Sequence, residues 1–177
     1  MAVVEAMQEP VTRPAAPPRT AVLYDWVTTV DHKKIGIMYI LMGVVFLVVG
    51  GIEAVLLRWQ LFWPRQNALG PNTANVFNQL FTMHGTTMIF FMAMPLLIGF
   101  GNYLVPLMIG ARDMAFPRLN ALGFWVTLFG GLLVYFSYAT GGAPAIGWFA
   151  YAPLTERTFA RSAATDFWAL GLMVSGA

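Results

Sequence analysis

The chain has 177 residues, 58% of them hydrophobic and only 10% charged, with a net charge of +2 and no cysteine. Together with a mean hydropathy of +0.66, this is far too apolar for an ordinary soluble domain and marks an integral membrane protein. The missing cysteines exclude disulfides, iron–sulfur clusters and thiolate metal sites, 2 histidines cannot build a His-rich metal site alone, and the scattered basic residues argue against a nucleic-acid partner.

Residues 1–23 carry Pro10, Pro14, Pro17 and Pro18 and lack the basic start and apolar centre of a secretory signal, so they read as a disordered, proline-rich tail. From 24 to 177 the chain reads as one transmembrane domain. The stretch 24–34, with Tyr24, Trp26 and the Lys33-Lys34 pair, suits the headgroup region. The first span is 35–57, about 34 Å long as a helix, with Gly43, Gly50 and Gly51 permitting close helix contacts. After a polar connection the second span, 76–109, is unusually long and contains Pro95 and Pro106, which predicts a tilted or kinked helix. The third span is 119–139, followed by a Gly- and Pro-rich loop. A fourth apolar run covers 167–177, about 16 Å as a helix, too short to cross a bilayer.

The expected fold is therefore an all-α, polytopic transmembrane helix bundle with three full spans and the start of a fourth, forming the N-terminal part of a longer protein. The balance of Lys and Arg near the spans leans toward a cytoplasmic N-terminus.

Three ionisable groups stand out. His84 lies near the start of the second apolar run and Asp113 just beyond its end, roughly 43 Å apart if the intervening chain is helical, which predicts opposite membrane faces. An imidazole near one face and a carboxylate at the other suit a redox centre coupled to proton uptake. By themselves the residues also allow His84 as a helix-packing side chain, Asp113 as a solvated loop or helix-start carboxylate, and Arg58 as an interfacial anchor. Glu53 stands about 140° around the helix from Arg58, which places the two poorly for an ion pair, and it receives no role.

DHKKIGIMY (31–39), LLRWQ (56–60), MHGTTMIFFMAMPLLIGFGNYLVPLMIGARDMAFPRLN (83–120) and GWFAYAPL (147–154) together resemble subunit I of the haem-copper terminal oxidases. The resemblance implies the first three helices and the beginning of the fourth of a roughly twelve-helix fold. It implies a prokaryotic plasma-membrane enzyme that reduces oxygen to water, pumps protons, takes electrons from cytochrome c and works with subunits II and III. The implied cofactors are a low-spin haem of a or b type and, in the complete subunit, a high-spin haem and one copper ion.

The resemblance also assigns residues. His84 in MHG matches an axial ligand of the low-spin haem iron, and Arg58 in LLR matches an arginine that contacts that haem. Gly85, lacking a side chain, would let the macrocycle approach the backbone. Asp113 matches the mouth of a proton-uptake channel, with Asn102 and Asn120 lining it. In quinol-using members of the family an arginine, an acid, a histidine and a glutamine stand where this chain has Val49, Glu53, Val76 and Gln79. Half of that set is missing, which favours cytochrome c over quinol. A reading from a different class is a fragment of a secondary ion or proton transporter, with Glu53 and Asp113 relaying ions and the prolines marking broken helices.

Overall fold

The computed structural model describes residues 18–176, so residues 1–17 of the expected tail lie outside it. Helix α1, Arg19–Val27, begins inside the stretch read as tail and has no buried residue, and Asp25 forms an ion pair with Lys34. Pro18 is the last residue before this helix, and its fixed φ suits that position.

Helix α2, His32–Phe62, is capped by Asp31, whose side chain accepts from the Lys33 amide at 2.9 Å. Its 31 residues make it longer than the expected span at both ends. The second span is one continuous helical rod from Thr73 to Met108 built of three pieces: α3, Thr73–Thr86; a π-helical segment, Thr87–Ala93; and α4, Met94–Met108. Helix α5, Pro117–Phe136, continues as a 3₁₀ turn over Ser137–Thr140, and α6 covers Ala164–Gly176. The all-helical, polytopic fold is borne out, with three helices among the described residues long and apolar enough to cross a membrane: His32–Phe62, Thr73–Met108 and Pro117–Thr140. At 13 residues α6 is about 20 Å long, short of the ~30 Å hydrocarbon core.

Pro95 and Pro106 each remove an N–H from the long rod, and the fold handles them differently. Ahead of Pro95 the helix widens into the π segment, where the Met94 amide reaches back to the Ile89 carbonyl. A wider turn relieves the clash between the proline ring and the carbonyl four residues earlier. Pro106 cannot donate to the Asn102 carbonyl, and that oxygen instead receives Nδ1 of His32 at 2.8 Å from across the helix pair.

Helix α2 runs antiparallel to the α3–α4 rod, and glycines set the register. A Cβ on Gly36 would lie 2.9 Å from the Gly99 carbonyl oxygen, and Gly43 and Gly50 face Leu96 and Met88 in the same way. Within a membrane, where lipid competes equally for apolar surface, such close approach supplies the packing that holds helices together. Helices α5 and α6 pair by the same device through Gly130 and Gly171. The core between the helices contains Ile35, Tyr39, Met42 and Phe46 from α2 with Phe91, Phe124 and Val134. Tyr39 meets Phe124 edge-on at 5.2 Å.

Polar groups inside the bundle are tied locally first and across helices second. Thr82 and Thr86 donate to carbonyls one turn back, at 2.9 and 2.8 Å. Their oxygens then accept from the Gly147 amide and the Trp168 indole, both at 2.9 Å, fixing the long loop and α6 onto α3.

Candidate functional site

The antiparallel register gathers the predicted residues at two ends of the α2/α3–α4 pair. One end holds Arg58 and His84; the other holds Asn102, Asn120 and Asp113, with His32 bonded beside them. Between His84 and Met108 the rod runs 24 residues, about 36 Å.

His84 sits in the last turn of α3, half-buried, with Nδ1 2.9 Å from the Gly50 carbonyl oxygen of α2. A carbonyl only accepts, so Nδ1 carries the proton and Nε2 keeps its lone pair in the neutral ring. Gly50 can present its carbonyl this closely because it has no side chain: a Cβ there would stand 2.7 Å from Sδ of Met88. Arg58 follows Gly50 by two helical turns and is exposed. With Ala54, Val55, Trp59 and Phe62 it lines an open, almost wholly apolar groove of about 440 Å³.

Gly85 has a neighbour from the loop after α5. A Cβ on this residue would lie 2.6 Å from Cδ1 of Trp148, so the room left by the missing side chain receives an indole from the loop after α5. The sequence reading missed Trp148, although the GWFAYAPL motif contained it.

At the opposite end Asp113 is exposed in the turn between α4 and α5, and its Oδ1 accepts from the Met114 amide at 2.8 Å. Asn102 is buried on α4 and donates from Nδ2 to Oδ1 of Asn120 on α5 at 2.9 Å. The amide nitrogen of Asn120 is buried and makes no hydrogen bond among the described residues. The two asparagines are thus brought together, and Asp113 lies on the short connection between their helices.

Sequence reasoning also left Glu53 unplaced. It is buried between the helices at 5% exposure, and Oε1 accepts from the Tyr135 hydroxyl at 3.1 Å. Tyr135 in turn is hydrogen-bonded to Oγ1 of Thr87, the first residue of the π segment. A lone glutamate in an apolar run was the available signal; its partners, distant in sequence, were not readable from it.

Taken together, the fold and its two polar ends define an integral membrane protein with a histidine presented from inside one helix pair and, toward the other end, a hydrogen-bonded asparagine pair near an exposed aspartate. Residues 34–177 match the family model described as cytochrome c and quinol oxidase polypeptide I, and the chain belongs to that family. It is 53% identical over 156 residues to cytochrome c oxidase subunit 1 of Alkalihalophilus pseudofirmus, covering 88% of this chain and 24% of that protein. It is 51% identical over 158 residues to cytochrome c oxidase subunit 1 of Bacillus subtilis, covering 89% and 25%. Quinol oxidase subunit 1 of Bacillus spizizenii is 47% identical over 152 residues, covering 86% and 23%. The chain thus spans about a quarter of the length of these relatives. Membership in this family replaces the transporter reading.

Proposed function

We propose that the chain is the N-terminal part of the catalytic subunit of a proton-pumping oxygen reductase in a prokaryotic plasma membrane, with its N-terminus in the cytoplasm. In this reading His84 is an axial ligand of a low-spin haem. The supporting observation is its geometry: a proton held on Nδ1 by the Gly50 carbonyl leaves Nε2 free to ligate, the usual arrangement for a metal-bound histidine. The groove beside Arg58 is apolar with one guanidinium on its wall, which fits a flat apolar macrocycle carrying a polar substituent. When bound, the haem supplies a one-electron carrier; a high-spin haem and a copper ion complete the cofactors of the whole subunit, beside subunits II and III.

The chain's own residues then have distinct tasks. Gly50 holds the imidazole and Arg58 offers charge and planar donors at the groove. Asp113 collects protons at the cytoplasmic face, and the Asn102–Asn120 pair lines the path inward with groups that can both donate to and accept from water. We favour cytochrome c as donor over quinol. Glu53, one of the two quinol-site matches, is engaged inside the bundle by Tyr135, and Val49 and Val76 cannot hydrogen-bond a headgroup.

The test is an optical spectrum of the complete enzyme in membranes. A reduced low-spin haem band in the wild type that is lost in His84→Ala supports the reading, and a band unchanged by the substitution sinks it. Oxygen uptake with reduced cytochrome c and with a quinol, each as sole donor, decides the donor.

A further inference from the structure

We propose that Glu53, Tyr135 and Thr87 form a hydrogen-bonded clamp that fixes the turn of helix behind His84, making Glu53 and Tyr135 positioning residues for its imidazole; this rests on His84 being the haem ligand.

The clamp is one half of a closed ring. His84 bonds through Nδ1 to the carbonyl of Gly50. One turn further along α2, Glu53 accepts from the Tyr135 hydroxyl on α5. Tyr135 is joined to Oγ1 of Thr87. One turn back along the rod from Thr87 is His84, and the Thr87 amide bonds to the carbonyls of Met83 and His84 themselves. Three hydrogen bonds involving side chains and two helical turns therefore return to the starting residue. Residues three apart on a helix share a face, so Glu53 lies on the side of Gly50, and Thr87 on the side of His84.

Direction along the chain of hydroxyls follows from the donor count. Tyr135 has one O–H and gives it to Glu53, so Thr87 donates to the Tyr135 oxygen. The carboxyl is the terminal acceptor that orders the other two groups. Burial makes the arrangement hard to replace by water: Thr87 is fully buried and Glu53 is 5% exposed. Among the described residues no cationic side chain is a hydrogen-bond or ion-pair partner of Glu53.

Position in the rod adds the reason a clamp matters. Thr87 opens the π segment, where helical hydrogen bonds are re-registered ahead of Pro95. A widened turn is a place where a helix can rotate or slide, and His84 sits immediately before it. Holding Thr87 from α5 while Gly50 holds His84 from α2 fixes both sides of that junction.

The experiment uses the complete enzyme and reads the position of the reduced low-spin haem band and its midpoint potential. Tyr135→Phe and Glu53→Leu should each move both, because each cuts the chain. Glu53→Gln keeps an oxygen acceptor at the same place and should leave both at wild-type values. The double variant Glu53→Leu/Tyr135→Phe should shift no further than Tyr135→Phe alone, since one chain can be cut only once. Wild-type band and potential in Tyr135→Phe, or shifts that add in the double variant, overturn the clamp. Should Tyr135→Phe fail to assemble, Thr87→Ser and Thr87→Val replace it: serine must keep the wild-type band and valine must move it, and equal behaviour of the two overturns the proposal. Failure of the underlying reading is seen separately, as a haem band that survives His84→Ala.

Discussion

His32 supplies to the Asn102 carbonyl the hydrogen bond that Pro106 cannot. The two residues are 70 positions apart in sequence, His32 is only 1% exposed, and its Nδ1 lies 2.8 Å from the carbonyl oxygen. The bond ties the first turn of α2 to α4 at the level where Asn102 reaches Asn120. Removing the imidazole by His32→Ala leaves a buried carbonyl without a donor, at a cost of about 1–3 kcal/mol. Pro106→Ala restores the helical N–H to that carbonyl, so His32→Ala should cost less in the Pro106→Ala background than in the wild type. Thermal or denaturant unfolding of the four proteins of this cycle in detergent measures the coupling, and strict additivity contradicts the account.

Asp113 is exposed and forms no ion pair among the described residues, which leaves its carboxylate open to solvent at the proposed mouth. Asp113→Asn keeps size and the acceptor for the Met114 amide but removes the titrating group. Proton delivery, followed as turnover and acidification with enzyme in vesicles, should fall roughly 10-fold or more, the scale of losing a positioned proton-transfer group, with haem content unchanged. Wild-type turnover and pumping would leave Asp113 an ordinary turn residue.

Arg58 tests the groove at the other end. Arg58→Lys preserves charge but loses the planar fork of donors. If the guanidinium bonds to a haem substituent, the low-spin band and midpoint potential should both shift while assembly is retained. Values within error of wild type make Arg58 a snorkelling anchor.

Thr86 offers a test of helix placement independent of any cofactor. Thr86→Val is nearly isosteric but takes away the acceptor of the Trp168 indole N–H, which is buried. The expected loss is about 1–3 kcal/mol of stability, and Thr86→Ser should recover most of it. Unfolding midpoints of the two variants check this; wild-type stability in Thr86→Val, or a loss in Thr86→Ser as large as that in Thr86→Val, contradicts the account.

How much of this was legible in advance depends on how far apart the interacting residues stand. Hydropathy and proline content located three spans and the disturbance in the second, because these are properties of contiguous stretches. They placed the span ends several residues short for α2, since Lys33, Lys34, Trp59 and Gln60 are polar or interfacial in composition yet still helical. The position of Glu53 was visible as an isolated polar group, but its bond to Tyr135, like that of His32 to Asn102, depends on the register of helix pairs. Trp148 shows the same limit: its position against Gly85 depends on how the loop after α5 returns to α3, which no contiguous stretch of sequence displays.

The paired use of Thr82 and Thr86 bears on how the chain is assembled as it emerges from the ribosome. Each hydroxyl satisfies its own hydrogen within its helix as soon as that helix forms, so neither needs a distant partner to enter the bilayer. The oxygen lone pairs remain for the Gly147 amide and the Trp168 indole, which are synthesised later. Order along the polypeptide and order of bond formation thus run in the same direction: the earlier span carries prepared docking points, and the loop and α6 find acceptors already in place when they arrive.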